Sequence, residues 1–134
     1  MIIGVGIDLV KVERIEKALR KWPDAFSLRV FTQGEIDYCI SQKNSALSFA
    51  GRFAVKEAVM KAFGTGHSGG VKWTDAEVVR GDGGKPVVRL TGRLAELAAE
   101  TGVREVFISF SHDAGYAVGQ AILTGGTKKL EENI

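Results

Sequence analysis

Cysteine is nearly absent from this chain of 134 residues: Cys39 stands alone. A single thiol excludes an internal disulfide and a cysteine zinc cluster, and it reads as a small, half-buried hydrophobe. No apolar run approaches the roughly 20 residues that a bilayer span needs. An excess of one charge sign is also lacking, with a formal net charge of only +2. That balance argues against bulk electrostatic binding to nucleic acid and leaves room for a local basic face. Internal repeats and linkers rich in proline and serine are missing too, so one domain is expected. The opening MIIGVGIDLV has neither a basic leader nor a small-residue cleavage site. It reads as a strand rather than a signal peptide, and the cytoplasm is the expected location.

What is present suffices for a core, since 45% of the residues are hydrophobic. Residues 2–10 are β-branched and apolar and read as a buried strand. Alternation places Ile3, Val5, Ile7 and Leu9 on one face, and Gly4, Gly6 and Asp8 on the other. Two glycines beside an aspartate point to close approach by another backbone or a ligand. Residues 12–22 read as an amphipathic helix with Val12, Ile15, Leu19 and Trp22 on its apolar stripe, ended by Pro23. Arg14, Lys17 and Lys21 gather on nearly the opposite face; a solvated surface is one reading, and docking of an acidic partner is the other.

Thr32 and Glu35 have capping-box spacing and open a short helix running to about Ile40. Residues 45–63 form the longest helical candidate, with Gly64 placed for a left-handed cap. Residues 75–80 and 86–90 read as strands around a turn over 81–84, and residues 93–100 as a helix stopped near Gly102. Residues 105–111 and 116–123 read as a second hairpin turning through Asp113, Ala114 and Gly115. The order β-α-α-α-β-β-α-β-β predicts an α+β domain with a mainly antiparallel sheet. Residues 1–124 are expected to make up that domain, and 125–134 a disordered tail.

Several side chains could carry chemistry. Asp8, a carboxylate in an apolar strand, is costly to bury unless paired, hydrogen-bonded or metal-bound. Capping of the following helix and metal ligation both remain open for it. Glu57 and Lys61 share a helix face four residues apart, continued by Phe53, and read as a surface ion pair or as site residues. Lys61 directly precedes Gly64-Thr65-Gly66, a loop whose glycines could admit a phosphate although the helix C-terminus itself disfavours anions. The run Ser111-His112-Asp113 cannot form a hydrolase triad, because neighbouring strand side chains point to opposite faces. His112 remains either a structural hairpin residue or a contact for phosphate or a heterocycle, and His67 is given no role.

Five segments carry a resemblance: GVGIDLVKVERI at 4–15, FTQGE at 31–35, GRFAVKEAVMKAFGTG at 51–66, GKP at 84–86 and ISFSHDAGYAVGQAI at 108–122. Together they resemble the small bacterial holo-[acyl-carrier-protein] synthases, the stand-alone phosphopantetheinyl transferases. The family signature is an aspartate in the first strand plus a helix of the form F/W-x-x-K-E-x-x-x-K, matched here by Asp8 and by Phe53, Lys56, Glu57 and Lys61. The resemblance implies Asp8 and Glu57 as Mg²⁺ ligands and Lys61 as a phosphate contact near the reacting centre. It implies Gly64, Thr65 and Gly66 beside coenzyme A, and Lys85, Pro86, Ser111 and His112 along its adenosine and 3′-phosphate end. Arg14, with Lys17 and Lys21 beside it, would meet an acidic acyl carrier protein. A homotrimer with active sites between subunits is also implied, with neither membrane nor nucleic acid as partner. Rival readings are a transferase for polyketide or peptide synthetase carriers, a non-catalytic coenzyme A module, and a small RNA-binding domain.

Overall fold

The computed structural model of the chain describes residues 1–126. It opens on β1 (Ile2–Lys11), followed by four helices: α1 (Val12–Lys21), α2 (Pro23–Val30), α3 (Gln33–Ser41) and α4 (Ser45–Phe63). Strands β2 (Ala76–Arg80) and β3 (Pro86–Leu90) form a hairpin, then come α5 (Gly92–Thr101), β4 (Val103–Asp113) and β5 (Tyr116–Gly125). All pairings are antiparallel: one sheet runs β1-β5-β4 and a second holds β2 and β3. The α+β class therefore stands, with one helix more than the expected order. Of the expected tail, Gly125 ends β5 and donates its N–H to the Met1 carbonyl at 2.9 Å, while residues 127–134 lie outside the described residues.

The longest helix organises the rest. Asn44 caps α4 by accepting from the Leu47 N–H at 3.1 Å, and Gly64 ends it in the left-handed conformation at φ 79°. Its inner face lies on the three-stranded sheet at backbone distance. A methyl group at Gly4 would overlap the Ala62 carbonyl, one at Gly6 the Ala58 carbonyl, and one at Gly119 the Ala54–Val55 peptide. The glycines of β1 thus face inward, and only their lack of Cβ lets strand and helix meet so closely. The fully buried Val55, Ala58, Val59 and Met60 of α4 join Leu94 and Ala121 in one core cluster. Burial of a large apolar side chain of this kind stabilises by about 1.5–3 kcal/mol. A second cluster joins Val10, Ile15, Phe31, Phe49 and Ala50 under the first three helices.

The reading of residues 2–10 as a buried strand holds for one face alone. Val5, Ile7 and Leu9 are 57%, 61% and 63% exposed, because no element covers the outer face of β1 among the described residues. Trp22 also departs from its expected stripe and is exposed, since the chain leaves α1 at that residue and turns into α2. Pro23 does stop α1, but it simultaneously starts α2 at a position where a missing N–H costs nothing.

The Thr32 capping box forms as its spacing predicts: the Glu35 N–H donates to Thr32 Oγ1 at 3.2 Å, and the Thr32 N–H donates to Glu35 Oε1 at 2.9 Å. Glu35 does more than cap. It is buried, accepts from the Val78 N–H at 2.8 Å, and receives the ammonium of the fully buried Lys56 at 2.6 Å. Lys56 also donates to the Ala76 carbonyl at 2.7 Å. Burial pushes the Lys56 pKa down, against the attraction of Glu35. Cys39 is buried with its thiol pKa raised by desolvation, as suits an inert packing residue.

Candidate active site

Asp8 continues the inward face of β1 beyond Gly4 and Gly6, and the Lys61 side chain reaches back along α4 to meet it. Its Oδ1 lies 2.8 Å from Lys61 Nζ, which also donates to the Ile7 carbonyl at 3.1 Å. The α1 N-cap is Lys11 with no side-chain cap, so Asp8 is not spent on capping. Glu57 stands one turn before Lys61 on the same helix face, about 20% exposed, close enough to act on that ammonium through Coulomb attraction without an ion pair. The Asp8 hydrogen bond, helped by weaker Coulomb attraction to Asp8 and Glu57, holds the Lys61 pKa above its ordinary value despite desolvation. Residues from the first strand and the central helix thus converge on one charged cluster at the protein surface.

The loop after α4 borders that cluster. Gly64 and Gly66 have positive φ of 79° and 55°, and a Cβ at either would meet nothing, so backbone conformation alone calls for glycine there. Ser68 Oγ donates to the Thr65 carbonyl at 2.6 Å and closes the turn. His67, given no role from sequence, lies with Nε2 3.5 Å from Glu57 Oε1 and its ring 4.2 Å from Trp73. Trp73 in turn stacks on Phe53 at 4.9 Å, so the aromatic continuation of the Glu57 face is built into an aromatic wall.

Ser111 and His112 lie elsewhere. They line a pocket of about 310 Å³ near the start of α4, together with Tyr38, Lys43, Arg52 and Arg80. From Arg52 to Lys61 is about 13 Å along the helix axis. Lys85 and Pro86 do not line this pocket, but Pro86 pairs across the hairpin with Arg80, which does. The expected coenzyme contacts therefore fall into two groups within one chain. Arg52 is the strongest feature missed from sequence. It is 3% exposed, sits 4.3 Å from the Tyr38 ring and 5.8 Å from that of Phe110, and its Nε has no partner. An arginine in the apolar first half of α4, between Gly51 and Phe53, was the available signal, since such a charge needs a partner.

On α1, the three basic residues differ. Arg14 is exposed and makes no ion pair among the described residues. Lys17 pairs with Glu13 at 2.9 Å, and that hydrogen bond holds the Glu13 carboxyl below its ordinary range. Lys21 lies 4.7 Å over the Trp22 ring.

Among the described residues, no group of three or more His, Cys, Asp or Glu side chains gathers for a metal. Asp8 and Glu57 would supply two carboxylates and leave the remaining positions to other oxygens. That donor set fits Mg²⁺, which binds through one or two carboxylates and keeps water or substrate phosphate in its shell.

Comparison with known proteins agrees with this architecture. Residues 4–121 match the family model of the 4′-phosphopantetheinyl transferase superfamily. The chain is 47% identical over 123 residues to a holo-[acyl-carrier-protein] synthase of Geobacter sp. (strain M21), covering 92% of this chain and 98% of that one. The synthase structure from Neisseria meningitidis superposes with TM-score 0.84 at 30% identity, covering 92% of this chain and 99% of that one. A Bacillus anthracis synthase in complex with CoA (3′,5′-ADP) gives 0.77 at 36%, covering 94% and 99%. On its fold and on these matches, the chain belongs to the holo-[acyl-carrier-protein] synthases of the 4′-phosphopantetheinyl transferase superfamily.

Proposed function

We propose that this enzyme transfers the 4′-phosphopantetheine group of coenzyme A to a serine of an apo acyl carrier protein and releases 3′,5′-adenosine bisphosphate, in support of cytoplasmic fatty acid biosynthesis. The observation that carries the reading is the convergence of Asp8, Glu57 and Lys61 on one cluster. Names of the relatives, and the coenzyme A in the Bacillus anthracis complex, support the substrate pair.

Mg²⁺ held by Asp8 and Glu57 would neutralise charge on the coenzyme diphosphate. Lys61 brings a further positive charge to the transferring phosphoryl group, where charge builds in the transition state. The serine oxygen forms a bond to the phosphorus that carries the pantetheine arm. The opposite P–O bond breaks, and its electron pair leaves with the adenosine bisphosphate. Glu57 accepts the serine proton, directly or through a water. Arg14, free of an intrachain partner among the described residues, faces the acidic carrier.

The outer face of the β1-β5-β4 sheet supports a homotrimer. Val5, Ile7 and Leu9 lie there with Phe107 and Tyr116, all substantially exposed. An apolar sheet face of this extent marks a protein interface, and copies of the same chain are the occupant we assign. Assembly would also let the Arg52 pocket of one copy, with Ser111 and His112, adjoin the carboxylates of the next. Among the described residues, no helix is long and apolar enough to cross a membrane.

The test mixes the protein with apo acyl carrier protein, coenzyme A and Mg²⁺ and weighs the carrier. A gain of one phosphopantetheine is expected, abolished by Asp8→Ala or Glu57→Ala. Failure to modify any apo carrier would overturn the reading, and binding of coenzyme A without turnover would favour a non-catalytic module.

A further inference from the structure

Lys56 belongs to the signature helix, yet no step of the proposed reaction uses it. It is wholly buried, and its ammonium is fixed between Glu35 Oε1 at 2.6 Å and the Ala76 carbonyl at 2.7 Å. Glu35 is itself anchored by the Thr32 and Val78 N–H groups at 2.9 and 2.8 Å, one from the start of α3 and one from β2. On the other side of Glu57 in the chain, Ala58 is trapped beneath Gly6, where a single added methyl would overlap its carbonyl. Both chain neighbours of Glu57 are therefore locked, by different parts of the fold. Successive helical residues are about 100° apart, so the two anchors lie on nearly opposite sides of α4, with Glu57 about midway.

We propose that Glu35 and Lys56 form a positioning pair that sets the rotation of α4 and so places the Glu57 carboxylate opposite Asp8. The inference rests on the reading of Glu57 as a metal- and phosphate-facing group. Apolar packing is non-directional and tolerates small rotations, whereas a buried, charge-assisted hydrogen bond has a fixed direction and length. A carboxylate roughly 6 Å from the helix axis moves about 1 Å when the helix turns by about 10°. Misplacement by about 1 Å at a phosphoryl-transfer site can cost about a hundredfold in rate.

The experiment compares the unaltered chain with Glu35→Gln/Lys56→Met, which removes both charges together and leaves glutamine to accept from one of the two backbone N–H groups that Glu35 takes. Mn²⁺ serves as the spectroscopic probe ion, titrated by electron paramagnetic resonance beside thermal unfolding and steady-state transfer kinetics. Cooperative unfolding should persist, with Mn²⁺ Kd raised about tenfold or more and kcat lowered about tenfold to a hundredfold. The carrier KM should stay within about twofold, because the α1 face is untouched. A cooperatively folded double variant with Mn²⁺ affinity and kcat like those of the unaltered chain overturns the proposal. If that variant does not fold, Lys56→Arg decides. It keeps the cation and its donors but lengthens the arm, so kcat and Mn²⁺ affinity should still fall, whereas a merely structural ion pair would leave both unchanged. Absence of Mn²⁺ binding by the unaltered chain would refute the metal reading separately and leave the pair to be judged on kcat alone.

Discussion

Lys61 Nζ joins Asp8 Oδ1 at 2.8 Å across 53 positions of the chain, tying the last turn of the central helix to the first strand. The contact adds little to stability, because the lysine side chain is half exposed and such pairs contribute at most about 1 kcal/mol, whereas the proposed reaction needs its charge. Lys61→Met should therefore unfold within a few degrees of the unaltered protein while kcat falls about a hundredfold or more. Since Asp8 raises the Lys61 pKa, the small stabilisation is fully present below the ordinary lysine value of 10.5 and is lost as pH rises through the higher folded value. Thermal unfolding from pH 8 to pH 11, compared with Lys61→Met, checks the sign.

Gly6 tests the helix–strand approach. Gly6→Ala forces β1 away from the Ala58 carbonyl, and with no flexible side chain in the way the backbones must separate. We expect a loss of about 3 kcal/mol or more, seen as a fall of roughly 10 °C in Tm by calorimetry. An alanine here that left Tm unchanged would contradict the packing described.

The exposed sheet face makes an assembly prediction. Ile7→Glu places a charge on an outward-facing position without touching the core, so secondary structure by circular dichroism should persist. Light scattering should show the mass dropping from three chains to one, with transfer activity lost alongside. A monomeric unaltered protein with full activity would remove the trimer from the account.

Arg14 and Lys17 should separate under kinetic analysis. Arg14→Ala is expected to raise the carrier KM about tenfold with kcat little changed, an effect that shrinks at high salt. Lys17→Ala should do less, because Glu13 already neutralises that ammonium. Equal effects from both would mean that the face acts through bulk charge.

Local rules were legible where a residue's own backbone demanded them. Thr32 and Glu35, Gly64, and the inward glycines of β1 each behave as their spacing or lack of side chain predicts. Of the residues matched to the family signature, Asp8 and Lys61 are in contact, while Lys56 turns inward to Glu35 and Phe53 stacks on Trp73. Less legible were features decided by distant parts of the chain. Helix α2 carries no clear apolar stripe, and its opening proline was read only as a stop. The exposure of Ile7 and Leu9 is invisible to a rule that sends apolar residues inward. Buried Lys56 and Arg52 find their partners on β2, α3 and β4, which no helical periodicity reports.

Among the described residues, strand β1 pairs with β5 alone, bringing Ile2 opposite Thr124 and Met1 beside Gly125. The two strands stand at opposite ends of the described residues, so β1 finds its neighbour only when a long loop of chain has closed. Long-range pairing of this kind slows folding and leaves an unsatisfied β edge open to stray association meanwhile. Asp8 lies on that strand, so its contact with Lys61, and with it the proposed site, forms only once these distant segments have closed on each other.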